Sequence, residues 1–146
     1  MNRIEFRVER AELGIGDADV MSLYVDEVSL QDLIRPLEQP FADAEGNSDL
    51  AGQYVGLANP IGLGWPSRHY LGEPKATWFG DGDTILLGCN CGDAGCWPLI
   101  ARVELDEQHV TWRGFRTGHR DWDLSSFGPF TFDRQLYERS LRAATA

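Results

Sequence analysis

Ile4, Phe6 and Val8 alternate with Arg3, Glu5, Arg7 and Glu9. A period of two over this length admits an extended strand with one apolar and one wet face. Gly14-Ile-Gly-Asp17 supplies turn chemistry, and Met21, Leu23 and Val25 restart the alternation, so residues 3–10 and 20–26 are expected to pair as a hairpin. The pattern returns twice. Trp78-Phe79 and Thr84–Leu87 flank Gly80-Asp-Gly-Asp83, and Pro98–Leu105 and Val110–Phe115 flank Asp106-Glu-Gln-His109.

Helical spacing is rarer. Ser29 and Asp32 resemble a capping box before Leu30, Leu33, Ile34 and Leu37, and Pro36 limits that segment to a turn or two, a short helix near 29–37. Phe132 and Tyr137 staple an N-cap at Asp133. They open a helix near 133–144 whose core face is Leu136, Tyr137, Leu141 and Ala144. Strands joined as hairpins, with helices left over to cover one face, read as α+β with an antiparallel sheet. At 146 residues the chain makes a single domain, 1–146. Within it 39–75 is a long Gly/Pro-rich loop, for which helical turns are expected near Asp49–Tyr54. Its Tyr54, Trp65, Arg68, His69 and Tyr70 make it the best candidate for a pocket wall or lid. His69, a lone histidine, reads as structural or exposed rather than catalytic.

Charge is unevenly placed. The net charge is −10, and between Glu12 and Asp49 ten carboxylates face one base, Arg35. That balance excludes nucleic acid, whose recognition needs a basic face. An acidic segment 12–49 can steer a basic protein partner, or it can be a solvated face that keeps the chain soluble. No apolar run approaches the length of a membrane span, and the first residues lack a secretory h-region, so a cytoplasmic protein is expected. Twelve arginines against the single Lys75, with abundant Ala and Gly, look like a GC-rich bacterial genome.

All three cysteines fall in Leu87-Gly-Cys89-Asn-Cys91-Gly-Asp-Ala-Gly-Cys96-Trp97-Pro98. If 92–95 is a four-residue hairpin loop, Cys91 and Cys96 stand opposite each other with Cβ atoms about 5 Å apart, one pleat from Cys89. Three readings are open. The sulfurs can hold a metal, zinc above all, with a fourth place filled by His119, His109, Asp93 or water. Cys91 and Cys96 can form a redox disulfide. Or the thiols simply pack as small apolar groups. Further on, His119, Asp121 and Asp123 would point the same way in extended chain, a cation face of one imidazole and two carboxylates. Asp123 is equally placed to cap the turn at Leu124–Ser126, and Asp121 to pair with Arg120 or Arg116. No G-x-S-x-G, P-loop, G-x-G-x-x-G or H-E-x-x-H motif occurs.

The C-x-C-x4-C spacing is similar to the post-SET zinc motif of protein methyltransferases. That module takes a further cysteine from a catalytic domain that has no counterpart here, and no residue role is carried over. The cysteine block, with Trp112-Arg-Gly-Phe115, His119-Arg-Asp-Trp-Asp123 and Phe127-Gly-Pro-Phe130, resembles an uncharacterised family of small acidic bacterial proteins. The resemblance covers the C-terminal half best and brings no activity with it. It implies that these blocks meet in space and that His119 neighbours the cysteines. Two function classes are expected. One is an acidic, non-enzymatic binding protein, immunity-like or adaptor, for a basic protein partner. The other is a zinc- or thiol-dependent enzyme with its site at Cys89, Cys91 and Cys96.

Overall fold

The computed structural model describes residues 1–14, 16–91 and 96–145. The chain is α+β. Strands β1 (Ile4–Leu13), β2 (Gly16–Val25) and the short β3 (Val28–Ser29) lead into helix α1 (Leu30–Ala44), and β4 (Tyr54–Ala58) into the single turn α2 (Pro60–Leu63). Then β5 (Thr84–Cys89), β6 (Leu99–Leu105), β7 (His109–Thr117) and β8 (Phe130–Asp133) precede helix α3 (Arg134–Ala144). All pairs within the sheet are antiparallel, in the order β1-β2-β4-β5-β6-β7-β8 with β3 on β2. The two ends of that path nearly meet. Asn2 bridges Phe132, donating its N–H to the Thr131 carbonyl (2.8 Å), so the sheet curls into a nearly closed barrel.

The expected hairpins at β1–β2 and β6–β7 form, in registers Ile4↔Val25 to Leu13↔Gly16 and Leu99↔Thr117 to Leu105↔Val110. The one expected around Gly80–Asp83 does not, because Trp78 and Phe79 lie in irregular chain. Gly80 and Gly82 turn the backbone at positive φ (70° and 92°), and the Asp81 carboxylate accepts from the Asp83 N–H (3.1 Å), which holds a local turn and not a ladder. The segment 39–75 carries the end of α1, a 3₁₀ turn at Ser48–Leu50, β4, α2 and a second 3₁₀ turn at His69–Leu71.

Helix α1 starts where its cap places it, with Ser29 Oγ accepting from the Asp32 N–H (3.3 Å), and then runs on to Ala44 through Pro36 and Pro40. The prolines share the exposed stripe with Asp32, opposite buried Leu30, Ile34, Glu38 and Ala42. The carbonyls they leave unbonded therefore face water, and the usual cost of a mid-helix proline is reduced. Helix α3 is capped by Asp133, whose carboxylate accepts from the Leu136 N–H (2.9 Å). It lays Tyr137 and Leu141 on the barrel and leaves Leu136 54% exposed.

Trp112, Tyr137, Phe132 and Phe6 fill the interior beneath α3. Trp112 Nε1 donates to the Tyr137 hydroxyl (3.1 Å), which donates to the Tyr70 carbonyl (2.6 Å). Strand β4 changes partners halfway. Tyr54, Val55 and Gly56 pair with β5, while Leu57 and Ala58 pair with β2. Gly56 makes the crossing: a Cβ there would stand 2.1 Å from the Met21 carbonyl oxygen. No helix among the described residues is long and apolar enough to cross a membrane.

Candidate metal centre

Strand β5 delivers Cys89 at its C-terminal end, opposite Tyr54 of β4. The chain leaves the sheet at Asn90 and turns, instead of extending the strand through Cys91. Three contacts hold that turn. Asn90 Nδ2 donates to Gln53 Oε1 (2.6 Å), the Asn90 carbonyl accepts from the Gly14 N–H (3.4 Å), and the Cys91 N–H donates to Cys89 Sγ (3.4 Å). A Cβ on Gly14 would come within 3.3 Å of the Cys91 Cα, so the β1–β2 turn sits directly against the cysteine turn. Loop 92–95, expected as the hairpin connection, and Asp93 within it lie outside the described residues.

Cys89, Cys91 and Cys96 are not joined in a disulfide, and their three Sγ atoms lie within 4.8 Å of one another. Zinc–sulfur bonds of about 2.3 Å in a tetrahedron put sulfurs about 3.8 Å apart, so the three can reach one ion with little adjustment. Burial, together with the neighbouring thiols of Cys91 and Cys96, pushes the Cys89 thiol up to about 11, while the Cys91 N–H acts in the other direction. An amide donating to sulfur is the kind of contact that stabilises thiolate once a cation takes the proton's place.

The histidines are dispersed. His119 is exposed at positive φ (67°), its ring edge-on to Trp78 at 4.6 Å, and among the described residues the group that gathers within 4.8 Å is the three cysteines. His109 sits with Asp106 at the β6–β7 turn. His69 is fully buried. Asp123 caps the following turn, accepting from the Ser125 N–H (2.9 Å). Arg116, weighed as a partner for Asp121, pairs with Asp81 and Asp83. Of the aromatic loop, Tyr54, His69 and Tyr70 are core residues; Arg68 pairs with Glu73, and Trp65 lies under Arg142 (4.2 Å).

Behind the cysteines is a buried polar layer that sequence patterning does not reveal. Glu38 of α1 is fully buried and accepts from the Tyr54 hydroxyl (2.6 Å) and the Gly52 N–H (2.8 Å). Burial raises its pKa, and those two donors with Arg120 and Arg35 hold it back. Arg120 lies over the Trp97 ring with Trp122 4.7 Å from its guanidinium carbon, and Trp97 stacks toward Tyr54 (6.4 Å). Trp97 follows Cys96, so the cysteine block and the Arg120–Trp122 block do meet. The signal for Glu38 is its fourfold spacing from Leu30 and Ile34, visible only once α1 is carried past Pro36. Set against models of known protein families, curated proteins and solved structures, the chain matches none.

Proposed function

We propose that Cys89, Cys91 and Cys96 hold one zinc ion as thiolates, pinning the end of β5 to the start of β6, in a cytoplasmic protein that is not an enzyme and that docks a basic protein partner through its acidic surface. The observation that carries the metal reading is the gathering of three cysteine sulfurs, none in a disulfide, within 4.8 Å. Soft thiolates select soft or borderline ions, zinc among them. His119, on the segment that packs over Trp97–Pro98, is the proposed fourth donor, with water as the other choice.

Elemental analysis with thiol titration, on protein purified without chelator or nickel, tests the site. Near one zinc per chain, with thiols that react only after chelation, is the expected result. No metal and three freely titrating thiols would remove the reading. His119→Ala then decides the fourth place by whether zinc affinity falls.

What disfavours catalysis at Cys89, among the described residues, is size. The cavity that reaches Cys89, lined by Leu13, Val55, Leu57 and Gly88, holds about 20 Å³, far below the several hundred that small-molecule sites occupy. For the partner, Glu12 and Asp17 face each other across the exposed end of the β1–β2 hairpin. Association through such charges weakens as salt rises. A tagged pull-down at low salt that retained no basic protein would leave the partner reading without support.

A further inference from the structure

Just past the β6–β7 ladder, the Gly118 N–H donates to the Pro98 carbonyl (3.2 Å), which draws the following residues across Trp97 and Pro98. Arg120 is thereby laid over the ring of Trp97, with the centre of the Trp122 ring 4.7 Å from its guanidinium carbon. Its Nη1 is buried and has no hydrogen-bond partner among the described residues. A guanidinium does not lose its charge in a protein, and a buried N–H without an acceptor is costly. The acidic groups near enough to act on its charge are Tyr54, the Glu45 and Glu38 carboxylates of the α1 region, and the Cys89 thiol. Tyr54, paired with Cys89 in the ladder, lies in the same layer with its hydroxyl on Glu38.

A cation bound at the sulfurs would feel this placement. Three neutral thiols release three protons when a divalent ion binds, and the resulting group carries one net negative charge with a neutral fourth ligand. The sulfurs themselves are half-buried or exposed. On the side of Trp97 and Tyr54, however, the anion so created meets an apolar wall instead of water, and a fixed cation on that side is screened less than one in solvent. We infer that Arg120 is the positioning cation of the centre: its guanidinium, held against Trp97 and close to Trp122, offsets the negative charge of a divalent tris-thiolate group and so sets how tightly Cys89, Cys91 and Cys96 hold the ion. The inference rests on the metal reading proposed above. Arginine is suited to the task because it stacks on indole and keeps its charge when partly desolvated.

The test titrates metal-free protein with zinc against a chromophoric chelator, for wild type, Arg120→Gln and Arg120→Lys. Arg120→Gln should weaken zinc by roughly 10- to 100-fold, the range seen when groups around metal ligands are changed, at an unchanged stoichiometry of one. Arg120→Lys should recover most of the loss. A cobalt-substituted sample should keep the same thiolate-to-metal absorption in all three proteins, which shows that the ligands themselves are intact. Melting of the metal-free forms reads any purely structural role. Affinities within twofold of wild type for Arg120→Gln, or an equal loss for Arg120→Lys, would overturn the inference. If Arg120→Gln does not fold, Glu45→Gln replaces it. Removing that competing carboxylate should tighten zinc a few-fold, and no change would overturn the inference just as well. Failure of wild type itself to bind zinc would be seen before any variant is made, and would sink the site and this inference together.

Discussion

His69 is the residue whose burial gives the most quantitative expectation. Its Nε2–H donates to the Ile85 carbonyl (2.8 Å), and Nδ1 accepts from the backbone N–H of Lys75 (3.1 Å) and Ala76 (3.4 Å). The ring thus ties segment 69–76 to β5 beside the shift in β5–β6 register between Ile85 and Leu87. A second proton would have to enter at Nδ1, where two N–H groups already point. Burial, with Lys75 nearby, holds the pKa down to about 4. The unfolded chain, with an ordinary value of about 6.5, binds that proton more readily at every pH between the two. Stability therefore rises with pH through this window and is lost as pH falls below about 6.5. Linkage gives a loss of about 2 kcal/mol at pH 5 and about 3 kcal/mol at pH 4. Carboxylates titrate over the lower part of the range, so the comparison is with His69→Gln, which keeps them all. Urea unfolding of both metal-free proteins from pH 8 to pH 5 should show the wild-type advantage shrinking by about 2 kcal/mol. An advantage that stays constant within about 0.5 kcal/mol would refute a neutral, buried His69.

Two core substitutions test the packing. Gly56→Ala puts a Cβ 2.1 Å from the Met21 carbonyl oxygen and 2.5 Å from its carbon, both backbone; with no side chain to yield, it should cost about 3 kcal/mol or more in chemical denaturation. Tyr137→Phe leaves the indole N–H of Trp112 and the Tyr70 carbonyl without their shared partner in the core. A loss of about 2 kcal/mol is expected, and a neutral result would contradict the hydrogen-bond chain.

What was legible in the sequence was mostly local. The period of two marked β1 and the end of β2, and the turn residues 106–109 between two apolar stretches marked β6 and β7. Asp133 announced α3, because a capping carboxylate and the Phe132–Tyr137 staple act within five residues. What was not legible depends on distant chain. Strand β4 is five residues with a glycine at its centre, and only the two strands on either side of it make it a strand. Leu136 fits the helical stripe but points past the barrel, because Tyr137 and Leu141 define the line of contact. The proximity of the three sulfurs followed from spacing, although β5 ends at Cys89 instead of running on through Cys91. The Arg120 layer could not be read from spacing, since its members come from α1, β4, the cysteine turn and the chain after β7.

The acidic segment 12–49 shows how a fold redistributes a charge that composition presents as one block. Glu38 belongs to the core, where it fastens Tyr54 and Gly52 beneath the cysteines. Asp19, Glu27 and Asp32 are paired with Arg10, Arg3 and Arg35. Asp26 is bonded to the Asn2 amide and the Arg3 N–H, and Glu45 accepts from the Trp122 indole. Each of these holds chain to chain, and its field is partly cancelled at short range. Glu12 and Asp17 are direct cross-strand partners at the exposed end of the β1–β2 hairpin, and like charges directly opposite each other across strands destabilise a ladder. A cation from outside would relieve that repulsion. On the binding reading proposed above, a basic partner therefore meets the tip of the β1–β2 hairpin rather than a uniform face. That tip is also the turn whose Gly14 rests on Cys91, so a partner held there would touch the same corner of the barrel that the metal is proposed to pin.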